Sequence, residues 1–220
     1  PRGAERRRLC VDRHAADRRD GLPERALPLD APLLRGFAAG YRSAGADGIL
    51  LFNFFCTRET KPPRDPLFAT LRELRSPDAL RGTSKAYTLS SGWAVSEVDG
   101  PLLIPAPIPP QHSRQFSMFL SAEPPDARVE VDVLVEADQP LGADNLWLHI
   151  NQQSAGPAFR FSEASKPTAG TGPARIRQTA VFAVSPATLR AGRNSIVIRN
   201  EATPLTLISM DVRVNTGTVP

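Results

Sequence analysis

The sequence predicts a mainly β protein, an antiparallel β-sandwich preceded by a small α/β segment. From Gly92 onward, apolar residues recur at every second position, which is the period of a strand with one buried face. Before it, residues 27–90 carry a helical pattern and a strand that is apolar on both faces. The 22 prolines also favour strands joined by loops over a helical bundle.

Residues 1–26 form the first of three segments. They alternate charged residues without an apolar stripe, so we expect a basic, poorly ordered leader. Of the formal net charge of +4, residues 1–25 carry +3 and the rest of the chain carries +1. Because no aromatic residue lies between the arginines of this leader to stack on bases, the charge does not indicate a nucleic-acid partner.

Residues 27–90 form the second segment, with a helix–strand–helix pattern. Asp30 can cap a helix that Gly45 ends, with the apolar positions Leu33, Leu34, Phe37, Ala38 and Tyr41 on one face. Ile49–Phe55 follows as a strand apolar on both faces, which is typical of a parallel strand in an α/β fold. A second helix, capped by Asp65, comes after a proline-containing loop.

A lone parallel strand needs neighbours, because its backbone groups must be paired and its two faces covered. No other segment shows this pattern, and a complete (β/α)8 barrel takes roughly 250 residues. We therefore expect the α/β segment to be the end of a larger sheet or barrel whose earlier strands are missing from this chain.

Residues 91–220 form the third segment and supply the sandwich. Alternation of apolar residues predicts strands within 127–135, 146–150, 179–184, 195–199, 205–208 and 211–214. The stretch 153–174 is the longest one without a clear pattern.

The string Gly45-Ala46-Asp47-Gly48-Ile49-Leu50-Leu51-Phe52-Asn53-Phe54 resembles the last strand of a family of bacterial glycoside-hydrolase-like (β/α)8 barrels. Trp147-Leu148-His149-Ile150-Asn151 and the stretch 189–198 resemble strands of a galactose-binding-like jelly roll, although Gln152 stands where that fold usually has glycine. The resemblance implies the last strand and helix of a TIM barrel, followed by a jelly-roll β-sandwich. It also implies carbohydrate as a partner, and a missing upstream barrel segment as an intramolecular or subunit partner.

Glycoside hydrolysis normally needs two carboxylates across the scissile bond, and the sequence does not show such a pair. Glu59 is one carboxylate, in the loop after the predicted strand. Asn53 interrupts the apolar run near the end of that strand, where an amide could bind a sugar hydroxyl or satisfy a neighbouring loop. Thr57 and Arg58 follow on the same rim. The catalytic residues are therefore unknown, and the chain is expected to be catalytically incomplete alone.

The sandwich contributes three further candidates. Trp147 and His149 point away from the apolar face of their predicted strand, where a tryptophan can stack on a sugar ring or anchor the α/β segment. The sequence favours the anchor for Trp147. For Asn151, the preferred interpretation is a residue of a hairpin turn, and the second interpretation is an amide that binds a ligand.

The remaining patterns limit the classes of function. Three scattered histidines and two cysteines make no metal site, no cofactor motif is present, and no apolar run could span a membrane. The compartment stays undetermined. We expect the C-terminal portion of a glycoside-hydrolase-like protein, whose accessory sandwich braces the barrel or binds carbohydrate. The alternative is a free-standing carbohydrate-binding or adhesion module without enzymatic activity, and a mis-started reading frame is a third explanation of the leader.

Overall fold

A computed structural model describes residues 8–11, 30–51, 65–90, 103–164 and 175–216 of the chain. Within these residues, the chain is mainly β and builds two antiparallel sheets around one hydrophobic core. The expectation of a mainly β, antiparallel protein is confirmed. Among the described helices, none is long and apolar enough to cross a membrane.

A strand–helix–strand unit precedes the two antiparallel sheets and begins before the predicted α/β segment. Strand β1 (Arg8–Val11) pairs in parallel with β2 (Gly48–Leu51), and helix α1 (Ala31–Ser43) lies between them in the chain. Strand β1 falls inside residues 1–26, for which the sequence predicts no regular structure. Strand β2 coincides with the first part of the predicted strand Ile49–Phe55, while residues 52–64 lie outside the described part of the chain.

Helix α1 begins and ends as the sequence predicts. The Leu33 backbone N–H donates to Asp30 Oδ1 at 2.8 Å, which satisfies one of the free donors of the first turn. After the last turn, Gly45 has a φ of 91°, a left-handed conformation that costs glycine little. The predicted second helix is a 3₁₀ helix over Asp65–Arg75, and the short helix α2 (Pro77–Leu80) follows it.

The larger sheet has six strands: β3 (Lys85–Ser90), β4 (Ala106–Ile108), β6 (Arg128–Ala137), β9 (Arg160–Phe161), β10 (Ile176–Val184) and β12 (Leu205–Asn215). The strand order is β3-β12-β6-β10-β9, and β4 pairs with the first residues of β12. Since β3 pairs with β12, the last six residues of the predicted α/β segment belong by hydrogen bonding to the sandwich.

The smaller sheet has four strands: β5 (His112–Leu120), β7 (Leu146–Ile150), β8 (Gln153–Pro157) and β11 (Gly192–Asn200). Their order is β5-β11-β7-β8. Along most of each long strand, every second residue points into the core, which both sheets fill mainly with branched aliphatic side chains. Fully buried examples are Val131, Val133, Phe182, Val212, Leu120, Leu148, Ile150, Ile196 and Ile198.

Strand β12 differs from the prediction of two separate strands. It is continuous, and its pairing with β6 shifts register between Leu207 and Ser209. Leu207 and Met210 are both fully buried, and two residues, Ile208 and Ser209, separate them. In a regular strand, only one residue separates two inward-pointing positions. This extra residue is a β-bulge, and it interrupts the alternation that would have identified a single strand.

Candidate functional site

The predicted site residues fall into two groups in the structure. Asn53, Thr57, Arg58 and Glu59 lie outside the described residues, so the rim of the predicted barrel strand stays a prediction. Trp147 and His149 lie on β7, and Asn151 is the first residue after that strand. We therefore build the candidate site on the side of the four-stranded sheet that faces away from the core, called here the outer face.

Strand β7 presents Trp147 and His149 to this outer face. Its other residues, Leu146, Leu148 and Ile150, are fully buried, and side chains alternate between the two faces of a strand. Trp147 and His149 are each partly exposed. Helix α1 packs mainly on β3 and β5, whereas β7 is separated from β5 by β11.

Polar side chains surround these two rings. In the strand register, Arg199 lies opposite Trp147 on one side and Pro157 on the other. His149 lies between Val197 and Ser154 in the same way. Directly opposed residues of antiparallel strands have Cβ atoms about 4.5–5.5 Å apart, so their side chains share one surface. Strand β5 adds the exposed residues Ser113, Gln115 and Ser117.

The outer face is basic. Arg199 forms an ion pair with Glu201, which follows directly after β11. Arg193 lies opposite Phe119 in register, with its guanidinium carbon 5.5 Å from the centre of that ring, and is exposed to solvent. Arg190, also exposed, donates from Nε to the Arg193 carbonyl. The three strands of this sheet that form its outer face around Trp147, namely β5, β7 and β11, contain no aspartate or glutamate.

Asn151 holds the edge of this face together. Its Nδ2 donates to the Thr188 carbonyl and to Asn194 Oδ1, both at 2.8 Å, and its Oδ1 accepts from the Ser195 N–H. Fully buried Asn194 also bonds the backbone of Arg190 in both directions. Both amide hydrogens of Asn151 are thus used inside the protein, in the hairpin role that the sequence places first.

A second notable region is the contact between α1 and the sandwich. A Cβ atom at Gly36 would lie 2.0 Å from the Ala86 carbonyl oxygen on β3, and one at Gly40 would lie 2.9 Å from the Phe119 carbonyl oxygen on β5. Helix α1 therefore touches the backbone of both edge strands, one from each sheet. Side chains alongside the glycines, including Leu34 and Ala38, are buried in the same core as the sandwich.

A buried charged cluster lies next to this contact. Lys85 Nζ donates to the Leu80 and Thr83 carbonyls, each at 3.0 Å, and lies 2.9 Å from Glu123 Oε2, off the line of a hydrogen bond. The two charged side chains are 1% and 0% exposed. Glu123 Oε1 accepts from Tyr87 Oη at 2.9 Å. Burial, and then the Glu123 charge, raise the pKa of Tyr87 above its ordinary value of 10.0. This arrangement ties α2, β3 and the β5–β6 connection together.

The α/β segment leaves apolar surface uncovered. Leu50 on β2 is 56% exposed, the largest value for any bulky apolar side chain of the described residues. A shallow cavity of about 270 Å³ lies beside this strand, lined by Arg42, Ile49, Leu51, Leu71, Leu74 and Arg75. Arg42 closes one side of it by donating to the Leu74 and Arg75 carbonyls at the end of the 3₁₀ helix.

The opposite surface of the sandwich, on the six-stranded sheet, carries charges that are paired with one another. Arg177 pairs with Glu136, Arg128 with Glu130, and Arg213 with both Asp132 and Glu130. Burial raises the pKa of Asp132, and Arg213 opposes that change. No group of three or more histidine, cysteine, aspartate and glutamate side chains in the described part of the chain could hold a metal ion.

Sequence reasoning missed the basic residues of the outer face. Arg199 ends the predicted strand 195–199, and Arg193 lies in the stretch 189–198 that resembles a jelly roll, but neither was predicted as a site residue, and β5 was not predicted as a strand. The sequence does contain the alternation that predicts strand β5, since Phe116, Met118 and Leu120 alternate with Gln115, Ser117 and Phe119. What the sequence could not give is the register that places Arg199 opposite Trp147, because those residues are far apart in the chain.

Comparison with known proteins gives little further information. No protein-family model matches the sequence, and a search of curated proteins finds no match. Among solved structures, a match is found to BpGH86A, a beta-porphyranase of glycoside hydrolase family 86 from the human gut bacterium Bacteroides plebeius, with 17% sequence identity and a TM-score of 0.35. The match covers 52% of this chain and 19% of that enzyme.

Proposed function

We propose that this chain is the C-terminal portion of a glycoside-hydrolase-like protein, in which the β-sandwich braces the last β/α unit of a barrel. The chain is not a complete catalyst by itself. In this proposal β2 and α1 belong to the end of the barrel, and the sandwich is a jelly roll packed beside it. The observation that carries the proposal is the seating of α1 on both edge strands, without room for a Cβ atom at Gly36.

A helix that merely preceded a sandwich would not need such contacts. At Gly36 and Gly40 the backbone of α1 meets the backbone of β3 and β5, so small displacements of the helix cause clashes. The buried pair Lys85–Glu123 fixes the neighbouring turn, because charges removed from water must keep their partners. Together these contacts hold the α/β unit in one orientation, which is what a brace must do.

The parallel pair β1–β2 supports the barrel half of the proposal. Parallel strands joined through a helix are the unit of α/β folds, and such sheets are normally covered on both faces. The exposed Leu50 side chain is therefore a surface that further barrel units would cover. Asn53 would then lie near the carboxyl end of the last strand, and Thr57, Arg58 and Glu59 just after it, where barrel enzymes carry their active sites.

Self-association of the isolated chain tests this proposal. We expect the chain to bind the dye ANS and to form oligomers in sedimentation velocity experiments, because the apolar surface of β2 lacks its cover. Leu50→Lys should abolish both properties. Leu103→Lys is the matched control, since Leu103 is 48% exposed but lies next to the sandwich strands. A monomeric chain that binds no ANS would refute the proposal.

The outer face around Trp147 favours a second candidate function, that of a free-standing carbohydrate-binding module. A partly exposed tryptophan with polar neighbours on a rigid sheet can stack on a sugar ring and bind its hydroxyls. A monomeric chain that binds polysaccharide through Trp147 would support this alternative.

A further inference from the structure

We propose that the outer face of the four-stranded sheet binds an anionic polysaccharide, one with carboxylate or sulfate groups on its sugars. This inference rests on the carbohydrate-related role proposed above, and it specifies the ligand. Its three elements are an aromatic platform, a row of hydroxyl and amide groups, and a set of arginines without enough carboxylates to neutralise them.

Trp147 is the platform. Its indole lies on a strand that is hydrogen-bonded on both sides, between Arg199 and Pro157 in register, so the backbone beneath it is fixed. The apolar C–H face of a sugar ring packs well on an indole, since both surfaces lose water on contact. The side chain is only partly exposed, so part of the indole already packs against the protein, and that lowers the entropy cost of binding.

Short hydrogen-bonding side chains surround the platform. Ser113 lies opposite Arg199, and Gln115 lies across Val197 from His149. On the other side of His149, Ser154 of β8 lies opposite it in register. Four adjacent strands are about 14 Å across at the usual strand spacing. From Arg199 to Arg193 the face extends about 20 Å along β11. These dimensions suit a chain of several sugars better than a single small molecule.

The charge of this face determines the kind of polysaccharide. Arg190, Arg193 and Arg199 are all exposed, and among the described residues only Arg199 has a carboxylate partner. On the six-stranded sheet, in contrast, the arginines Arg128, Arg177 and Arg213 are each paired with glutamate or aspartate. Arginine binds carboxylates and oxyanions through two parallel N–H bonds. A polysaccharide stacked on Trp147 and extending along β11 would bring an acidic sugar to the unpaired Arg193, about 20 Å away at the other end of the face.

The arginines are also held in place. Arg193 lies over the Phe119 ring, and Arg190 is fixed through its backbone by the buried Asn194 side chain. Asn151 links the same asparagine to the turn that follows Trp147 and His149. The hydrogen bond between Asn151 and Asn194 therefore couples the platform to the basic end of the face, and the surface needs little rearrangement to bind.

Titration calorimetry with matched polysaccharides tests the inference. We expect binding of polygalacturonate, and little or no binding of its fully methyl-esterified form, which has the same backbone without charge. Dextran sulfate against dextran repeats the comparison for sulfate, and these two arms distinguish carboxylate from sulfate as the anionic group.

The variants separate this face from a general effect of charge. The double variant R193Q/R199Q should weaken binding by about tenfold or more, because each lost bond to a charged group is worth about 1.5–3 kcal/mol. The double variant R72Q/R81Q removes the same number of charges from exposed arginines of the 3₁₀ helix and the end of α2, away from this sheet, and should change binding by less than about threefold. W147A should lose at least about tenfold, and W147F should recover most of that loss.

Three results would overturn the inference: equal binding of charged and neutral forms, no binding of any polysaccharide, or equally tight binding of single-stranded DNA. The first would leave a neutral-sugar site, and the last a surface for polyanions in general. The brace proposal is judged separately by the Leu50→Lys experiment. Self-association that depends on Leu50, together with no polysaccharide binding, would refute this inference and leave the brace intact.

Discussion

Replacing the buried lysine tests the account of how the α/β segment is held. Lys85→Met keeps the length and apolar stem of the side chain but removes its charge. Glu123, whose side chain is fully buried, would lose the one cation that pairs with it among the described residues, and the Leu80 and Thr83 carbonyls would lose a donor. Solvent cannot screen this loss, because the two charged side chains are 1% and 0% exposed.

We expect Lys85→Met to lower the free energy of unfolding by about 3–5 kcal/mol, the usual cost of leaving one member of a buried ion pair alone. That is a large part of the roughly 5–15 kcal/mol by which a domain is stable. Urea denaturation followed by circular dichroism measures it. As a control, Arg81→Gln breaks the exposed Asp78–Arg81 pair and should cost less than about 1 kcal/mol.

A double-mutant cycle then isolates the pair itself. If the two charges depend on each other, Lys85→Met combined with Glu123→Gln should be clearly more stable than the sum of the single losses predicts, by about 1 kcal/mol or more. The reasoning would be refuted by a single-variant loss as small as that of Arg81→Gln. It would also be refuted by losses that simply add.

Three further predictions concern other parts of the same framework. Gly36→Ala should lower the thermal midpoint of unfolding more than Gly40→Ala, and Gly48→Ala should change it least. The reason is that the added Cβ atom would lie 2.0 Å from a carbonyl oxygen at Gly36 and 2.9 Å from one at Gly40, whereas at Gly48 it would meet no atom within 4 Å. The reverse order of the three midpoints would contradict the α1 contact. Tyr87 has a raised pKa in the folded state, so the folded protein keeps this proton when the unfolded chain loses it. Stability should therefore fall as pH rises above about 10, and Tyr87→Phe should reduce that fall in urea titrations at pH 9–11. Asn194→Ala should cost about 2–4 kcal/mol in urea denaturation, because it removes a buried amide that makes three hydrogen bonds to the backbone of the 190–192 turn. A cost under about 0.5 kcal/mol would contradict this role.

The sequence is most informative where the structure depends on neighbouring residues. Asp30 and Gly45 bound α1 because a cap acts within three residues, and both were identified from the sequence alone. The alternating valines of β6 show their inward face directly. Mainly β, antiparallel architecture follows from such local periods.

The parts that were missed depend on pairing between distant residues. The sequence predicts two strands, 205–208 and 211–214, where the structure has the single strand β12. The bulge at Ile208 moves the inward-pointing side chains from odd-numbered to even-numbered positions, and only the pairing with β6 shows that the strand continues. Lys85 was not singled out, since nothing near it in sequence indicates that Glu123 will lie 2.9 Å away. The basic outer face likewise arises only when β5, β11 and β7 are brought together.

The position of β12 also has a consequence for the order of folding. This strand comes last among the described elements, yet it lies between β3 and β6 in the larger sheet. During synthesis, β3 and β6 leave the ribosome long before the strand that joins them, so neither can complete its pairing until about residue 215 has been made. The sandwich must therefore fold late and through distant contacts, which makes its folding slow for its size. A chain that ended before Leu205 would retain β3 and β6 as unpaired edges, prone to associate with other chains.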